Sequence, residues 1–162
     1  MEDKRVFHEL EPVYDSESRV LILGSFPSVV SRKQQFYYAN PTNRFWPVLA
    51  QVFEEEITDR KAFCLSHGIA LWDVIASCVI HGSSDSSIRE VVPNDIAGLL
   101  KQTRIKAIIT TGGKAAALYR KYIQIDSIPQ IALPSTSAAN ASMRMEHLVK
   151  EYQIVRTIAE EN

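Results

Sequence analysis

The chain has 162 residues, 46% of them hydrophobic and 23% charged, and its formal net charge is -1. This length and composition exclude a disordered chain, and we expect one domain over residues 1–162 in which 1–19 form a polar lead-in. The charge balance excludes a protein that coats nucleic acid through overall basicity, and because no apolar run reaches the length of a signal-peptide core or a membrane span, we expect an intracellular protein acting in the cytoplasm.

The first predicted strand, at residues 20–23, leads into an unusually long loop at 24–44. Four consecutive aliphatic residues suit a buried strand of a parallel sheet. The loop far exceeds the roughly two to six residues that usually join a strand to a helix, and loops of that length inside a compact chain are usually functional. It ends at a helix predicted over 45–56, where apolar residues recur at helical spacing.

A second strand is predicted at 69–75, after a short helix that runs toward His67. Thr58 and Asp59 can cap this helix, and Gly68 is placed to end it. The strand is followed by a loop rich in glycine, serine and aspartate at 81–88.

The second half of the chain continues to alternate helices and strands. Pro93 opens a helix that we expect Asn94 to cap. The predicted elements are that helix to residue 100, a strand at 106–111 leading into Gly112 and Gly113, an alanine-rich helix at 114–123, a strand at 128–133, a loop at 134–142 and a final helix from Met145.

This alternation predicts an α/β fold, a three-layer α/β/α sandwich around a short, mainly four-stranded parallel sheet. In such sheets ligands bind beyond the carboxyl ends of the strands. Four unusual loops follow predicted strands, so we expect them to converge on one cleft. They are 24–44, 81–87, 111–114 and 134–142.

Several classes of site are excluded by spacing. The sequence has no P-loop, no dinucleotide-binding glycine fingerprint and no nucleophile elbow. The four histidines are scattered, without metalloprotease spacing, and Cys64 and Cys78 are interpreted as packing residues. We therefore expect neither a metal nor another cofactor.

The remaining loop residues suit a ligand that carries both negative charge and aromatic rings. Glycines let a backbone approach the ligand closely, hydroxyls donate to phosphate oxygens, and aromatic faces stack on bases. The residues concerned are Gly24, Ser25, Gly112, Gly113, Ser135, Thr136 and Ser137, the aromatic Phe36, Tyr37 and Tyr38, and the cations Arg32, Lys33, Arg44 and Lys114. Together they point to nucleotides or DNA.

At this point the sequence resembles the hypoxanthine-DNA (deoxyinosine) glycosylase branch of the uracil-DNA glycosylase superfamily. The resemblance spans roughly residues 20–142, in the order of the family's motifs. The matching segments are GSFP at 24–27, YYA at 37–39, Pro41, Asn43, Phe45 and Trp46, then LWDV at 71–74, Gly82 and Ser83 with Asp85, and LPSTS at 133–137 with Ala139 and Asn140.

The resemblance implies an enzyme that flips a deaminated base out of DNA and hydrolyses its N-glycosidic bond. Because no lysine is obviously placed as a nucleophile, we expect a monofunctional enzyme that leaves an abasic site. The base would be chiefly hypoxanthine, with uracil and xanthine as further substrates. Separately, we expect the protein to act as a monomer. Relatives specific for mismatched uracil and thymine place a catalytic asparagine where this chain has Phe26. In the hypoxanthine branch that role maps onto Asn43, and Asn40 stays open as a second candidate.

The resemblance also implies roles for the surrounding residues. The implied base pocket comprises Gly24, Ser25, Phe26, Tyr38, Asn40 and Asp73. The implied DNA-backbone and minor-groove contacts are Gly112, Gly113, Lys114, Ser135, Thr136, Ser137 and Asn140. Because an amide is no general base near neutral pH, Asn43 would position a water or hydrogen-bond to the departing base.

Each of these residues also has a purely structural interpretation. Asn43 could cap the following helix, Tyr38 could be a packing residue, and Asp73 could hold a neighbouring loop through backbone amides. Two other functions stay open as well. The chain could grip nucleotides or damaged DNA without chemistry, or it could be a small-molecule hydrolase or nucleotide-salvage enzyme. Release of free base from DNA would distinguish a glycosylase from both of these alternatives.

Overall fold

The computed structural model describes residues 4–161, which form seven strands and six α-helices in that part of the chain. The strands are β1 (Arg5–Phe7), β2 (Val20–Gly24), β3 (Ile69–Asp73), β4 (Ile75–Val79), β5 (Arg89–Pro93), β6 (Ala107–Thr111) and β7 (Gln130–Leu133). The helices are α1 (Val29–Gln34), α2 (Phe45–Phe53), α3 (Arg60–Ser66), α4 (Ile96–Lys101), α5 (Gly113–Tyr122) and α6 (Met145–Glu160).

The predicted four-stranded parallel sheet is confirmed, with strand order β3-β2-β6-β7. Its central strand β2 is buried throughout and pairs in parallel with both neighbours, Val20 lying opposite Ile69 and Ala107. Side chains alternate across the sheet, so Val20 and Ile22 enter one hydrophobic core while Leu21 and Leu23 enter the other.

Helices cover both faces of this sheet, which confirms the three-layer sandwich. The first core contains buried residues of α2, α3 and α6, and the second contains buried residues of α4 and α5. Both cysteines are buried among these layers, and burial raises the pKa of the Cys64 thiol to about 12. None of the helices in residues 4–161 combines the length and apolarity needed to cross a bilayer.

The strand predicted at 69–75 is wrong in its extent, because the chain leaves the parallel sheet at Val74. The backbone amide of Val74 still donates to the carbonyl of Gly24 at 2.9 Å. From Ile75 onward the chain forms β4, which pairs antiparallel with β1 and β5 in a second sheet. Periodicity could not reveal this change, since both halves are buried and apolar.

Three local predictions also need correction. The helix predicted to residue 56 ends at Phe53, because Glu54 adopts a left-handed conformation with φ 52°. The loop 24–44 contains α1, which Ser28 caps. Asp95, not Asn94, caps α4, since its carboxylate accepts from the amide of Gly98 at 3.0 Å.

Asn94 instead fastens the junction between the two sheets. Its Nδ2 group donates to the carbonyls of Asp73 at 2.9 Å and Ile75 at 3.2 Å. Its NH2 group is thus directed at the strands, and the helix amide of Gly98 donates to Asp95 instead. The cap of α4 is therefore one residue later than predicted, because the Asn94 side chain binds β3 and β4.

Candidate active site

The candidate site is a cleft of about 230 Å³ at the carboxyl ends of β2, β3 and β6. Its lining residues include two sets of loop residues and a third set of side chains that lie against Gly24. We call Asn43, Ser135, Thr136 and Ser137 the Asn43 wall, and Ser25, Ser83 and Asp85 the Asp85 wall; Tyr38, Asp73 and Thr111 form the floor.

The carboxamide of Asn43 is held in one orientation. Its Oδ1 accepts hydrogen bonds from the backbone amide of Phe45 at 2.9 Å and from the hydroxyl of Thr136 at 2.8 Å. A backbone amide can only donate, so the oxygen must occupy that side of the carboxamide. The NH2 group therefore has no hydrogen-bond partner within residues 4–161 and is available to a ligand in the cleft.

Arg44, the next residue, holds the far loop of the Asn43 wall in place. Its guanidinium donates to the carbonyls of Ser137 at 3.0 Å, Asn140 at 3.1 Å and Met143, and its backbone amide donates to Thr136 O at 3.0 Å. The Nε atom is buried and has no partner in the described part of the chain. Arg44 is therefore a clamp on loop 134–143, and its charge is not directed at a ligand.

The ring of Tyr38 lies on the floor of the cleft. It stacks on the fully buried ring of Phe45 with centroids 3.8 Å apart, so its opposite face is the one that a ligand can contact. Its hydroxyl lies 3.3 Å from Thr111 Oγ1. Burial, followed by the nearby charge of Asp73, raises the pKa of Tyr38 well above its usual value, so the hydroxyl stays protonated.

The backbone of Tyr38 is strained, with φ 52°, a conformation uncommon for residues other than glycine. Two contacts support it: the amide of the next residue, Ala39, donates to Ser31 Oγ at 3.0 Å, and Gly24 leaves space for the tyrosine hydroxyl. A Cβ at Gly24 would lie 2.6 Å from Asp73 Oδ1 and 3.2 Å from that hydroxyl. Any larger residue at position 24 would therefore clash with the floor of the cleft, so glycine is required there.

Asp73 forms a buried pair with His8, which comes from the lead-in. Asp73 Oδ2 lies 2.8 Å from His8 Nε2, and only 5% and 2% of the two side chains are exposed. The imidazole also packs edge-on against Phe26 with centroids 6.1 Å apart. The Asp73 carboxylate is thus tied to a side chain 65 residues away, rather than to the amides of a neighbouring loop.

Asp85 is the second carboxylate of the cleft, and its surroundings differ from those of Asp73. It begins a 3-10 turn at Asp85–Ser87, and its Oδ1 accepts from the hydroxyl of Ser25 at 3.2 Å. Although Asp85 lies on the exposed rim, partial desolvation raises its pKa and Asp73 adds to this; the Ser25 hydrogen bond and the Lys114 charge oppose the rise.

The loop that carries Asp85 is fastened to α1. Ser83 Oγ accepts from the backbone amide of Val29 at 2.9 Å, and the guanidinium of Arg32 donates to the carbonyl of Gly82 at 2.8 Å. These contacts fix the Asp85 wall relative to the first loop of the cleft. They also show that Arg32, like Arg44, is used to hold a loop.

Most of the sequence-predicted site residues line this one cleft, including the whole predicted base pocket. Asn40 does so with its Oδ1 accepting from the amide and the hydroxyl of Thr42, at 2.9 and 2.8 Å. Phe26 occupies the position after Ser25, with the guanidinium of Arg32 5.4 Å from its ring centroid. Of the three adjacent aromatics, Tyr37 is only 2% exposed, and Phe36 stacks on Trp46.

The predicted DNA-backbone residues divide into two groups. Ser135, Thr136 and Ser137 line the cleft, but Thr136 is only 2% exposed and its hydroxyl supports Asn43, so it does not project outward. Gly112, Gly113, Lys114 and Asn140 lie beside the cleft and do not line it. Asn140 donates to the carbonyl of Ser135 at 3.0 Å and so shapes the loop.

Several residues of this site were not among the predicted site residues, and they include His8, Arg44, Ser83, Asp85 and Thr111. His8 lies in a segment with no strong pattern, and Arg44 was considered only as a cation available to a ligand. Asp85 lies in loop 81–87, which the sequence predicts to reach the cleft, but no site role was predicted for its carboxylate. Among the described residues, no three His, Cys, Asp or Glu side chains are grouped to hold a metal ion.

Comparisons with known proteins agree with this geometry. Residues 11–157 match the family model described as the uracil DNA glycosylase superfamily. A hypoxanthine DNA glycosylase from Methanosarcina acetivorans is 35% identical over 133 residues, 79% of this chain and 84% of that relative. A protein of the same name from Methanosarcina barkeri is 28% identical over 134 residues, 80% and 85% of the two chains.

A solved structure shares the fold. The solution NMR structure of a candidate uracil DNA glycosylase from Methanosarcina acetivorans superimposes with a TM-score of 0.74 and 30% sequence identity. The match covers 92% of this chain and 96% of that one. The similarity in fold therefore extends over nearly the whole of both chains.

Proposed function

Because this chain belongs to the uracil DNA glycosylase superfamily, we propose that its cleft hydrolyses the N-glycosidic bond of deaminated bases in DNA, chiefly hypoxanthine, and leaves an abasic site. Two relatives that align with about four-fifths of the chain are named hypoxanthine DNA glycosylase. These relatives favour an enzyme over a binding protein without chemistry. Uracil and xanthine are proposed as further substrates.

The observation that carries the proposal is the fixed carboxamide of Asn43. With Oδ1 already accepting two hydrogen bonds, the group offered to the cleft is the NH2. That group can donate to a base oxygen or ring nitrogen, on which negative charge grows as the bond to the sugar breaks. A donor fixed before the reaction stabilises this charge without reorganising, so we assign the catalytic role to Asn43.

The size of the cleft and its floor support a single flipped base as the ligand. A volume of about 230 Å³ is below the roughly 300 to 1,000 Å³ of pockets that hold drug-sized ligands. One face of Tyr38 is open to a planar ring, and base–aromatic stacking contributes about 1–3 kcal/mol. We propose that Tyr38 stacks on the base while the backbone at Gly24, Ser25 and Phe26 contacts its edge.

The loop of the Asn43 wall is proposed to contact the DNA strand. Ser135 and Ser137 carry hydroxyls at the cleft, and Ala138 and Ala139 are exposed beyond them. Small residues on an exposed loop can enter a minor groove and support the gap left by the base. Lys114 lies beside the cleft and would add a positive charge for phosphate.

We further propose that the enzyme is monofunctional. A lyase activity needs an amine that can form a Schiff base with the sugar. None of the described residues lining the cleft is a lysine. Action as a monomer, and in the cytoplasm, stay predictions from the sequence.

The proposal is tested by incubating the protein, without added metal, with labelled duplexes that contain one deoxyinosine, uracil, xanthine or no lesion. We expect strand cleavage at deoxyinosine only after alkali, together with release of free hypoxanthine. Binding of lesion DNA without base release would contradict the proposal in favour of a binding protein. Hydrolysis of free deoxyinosine alone would contradict it in favour of nucleotide salvage.

A further inference from the structure

We propose that Asp85 is a further catalytic residue, the general base that takes a proton from the attacking water. This inference rests on the proposed glycosylase function and deepens it. It concerns the Asp85 wall and assigns a chemical task that the Asn43 carboxamide cannot perform.

Hydrolysis of the glycosidic bond requires a proton acceptor for the water. An amide is not basic near neutral pH, so Asn43 cannot serve. The hydroxyl of Tyr38 is kept protonated by the shift of its pKa, and it therefore offers no basic oxygen. The described residues that line the cleft leave two candidate bases, Asp73 and Asp85.

Asp73 is unsuitable because both of its oxygens are enclosed. Oδ2 pairs with His8 at 2.8 Å, and the carboxylate side chain is only 5% exposed. Oδ1 lies against the backbone of Gly24, since a Cβ placed there would be 2.6 Å away. A water that reached Asp73 would have to displace the floor of the cleft. Asp73 therefore supports the floor of the cleft.

Asp85 has the opposite properties. Only its Oδ1 is engaged, by the hydroxyl of Ser25 at 3.2 Å, and no side chain or backbone group of residues 4–161 donates to Oδ2. The single hydrogen bond orients the carboxylate, and the 3-10 turn at Asp85–Ser87 holds it at the cleft. One oxygen is therefore fixed and the other is accessible to water, which is the arrangement a general base requires.

The charges around Asp85 suit this task. Partial desolvation and the charge of Asp73 raise the pKa of Asp85, while Ser25 and Lys114 stabilise its ionised form. The carboxylate is therefore a stronger base than a fully solvated aspartate. Arg32, on α1, donates to the carbonyl of Gly82 rather than to Asp85.

The bond from C1′ to the base nitrogen breaks and its electron pair leaves with the base, whose negative charge the Asn43 NH2 group stabilises. The water oxygen forms a bond to C1′, and one water proton moves to Asp85 Oδ2. The base anion then takes a proton from solvent, and Asp85 returns its proton to solvent. The products are an abasic sugar and neutral hypoxanthine.

The test measures single-turnover excision from a deoxyinosine duplex, with enzyme in excess, for the wild type, Asp85→Asn and Asp95→Asn. Asp95 caps α4 and does not line the cleft, and asparagine also caps helices. Asp95→Asn therefore makes the same chemical change away from the active site. We expect Asp85→Asn to slow excision by about 100-fold or more and Asp95→Asn to leave it unchanged. Duplex binding should be the same for all three proteins.

Two further readouts separate catalysis from structure. The wild-type rate should rise with pH through a single ionisation and then level off, and this acidic limb should be absent in Asp85→Asn. In Asp85→Ala, added formate should restore part of the rate by replacing the lost carboxylate. A wild-type rate in Asp85→Asn, an unchanged pH profile, or a failure of formate to restore activity would each overturn the inference.

The same assay separates failure of this inference from failure of the proposed function. If the wild type releases no base from any lesion duplex, the proposed function is wrong and the Asp85 role is excluded with it. If the wild type excises hypoxanthine and Asp85→Asn does so equally fast, only the role of Asp85 is wrong.

Discussion

The two walls of the cleft are held by different kinds of contact. The Asn43 wall is fixed by buried and charged donors, since Thr136 is 2% exposed and the Arg44 guanidinium donates to three carbonyls of one loop. The Asp85 wall is held mainly at the surface, by the hydroxyls of Ser25 and Ser83 and by one hydrogen bond from Arg32.

This difference allows one cleft to present both a rigid hydrogen-bond donor and a base that water can reach. A donor that stabilises developing charge is most effective when it cannot move, which favours the buried contacts around Asn43. A base that exchanges protons with water must keep an open oxygen, which favours the exposed rim at Asp85. Substitutions on the Asn43 wall should therefore affect both activity and stability, whereas those on the Asp85 wall should affect mainly activity.

The largest effect is expected at Asn43. Asn43→Ala removes the fixed donor and should lower the single-turnover rate by about 100- to 1,000-fold, the usual loss when one donor of this kind is removed. Asn40→Ala is the matched variant, because the Asn40 side chain accepts from its neighbour Thr42 and shapes a local turn. It should retain most of the activity. The opposite ranking would transfer the catalytic role to Asn40.

A smaller effect is expected at Arg44, where the clamp can be loosened without touching the carboxamide of Asn43. Arg44→Ala leaves three loop carbonyls without a charged donor, so the free energy of unfolding should fall by about 1.5–3 kcal/mol. Loop 134–143 should also exchange its amide protons faster. Urea unfolding and hydrogen exchange measure the two effects.

Arg44→Lys provides the control for the charge. A single ammonium keeps the positive charge but cannot reproduce the planar fork of a guanidinium. If Arg44 acts as a clamp, this variant should resemble Arg44→Ala. Full restoration by lysine would mean that Arg44 contributes through its charge on the DNA.

Substitutions of Tyr38, on the floor of the cleft, should have a smaller effect. Tyr38→Ala removes the stacking face and should weaken binding of a deoxyinosine duplex by about 1–3 kcal/mol. Tyr38→Phe keeps the ring and loses only the hydroxyl contact with Thr111, so its affinity should stay close to that of the wild type. Equal losses in the two variants would assign the effect to the hydroxyl and exclude stacking.

The smallest effect is expected for the stability of Asp85→Asn. Because folding raises the pKa of Asp85, the ionised carboxylate costs folding free energy above that pKa, and the cost disappears at pH below the ordinary aspartate pKa. The variant should therefore be slightly more stable than the wild type at neutral pH, by less than about 0.5 kcal/mol, and equal to it in acid. Thermal unfolding at both pH values checks this; a less stable variant at neutral pH would contradict it.

The sequence by itself determined the main sheet and the place of the cleft. The aliphatic run at 20–23 suits a strand buried on both faces, and the loops after the strands carried the residues that line the site. These features are local, because they depend on the composition of short segments and on the rule that ligands bind beyond the carboxyl ends of parallel strands. The motif order also indicated the family before any contact was known.

Only the tertiary structure decided how the polar groups pair. Asn43 meets Thr136 across 93 positions of the chain, and His8 meets Asp73 across 65. The division between β3 and β4 likewise depends on pairing with β1 and β5. Such contacts arise from the packing of distant segments, which hydrophobic periodicity does not record. That packing made Asp73 an enclosed support and left Asp85, an aspartate of the same chemistry, open to water.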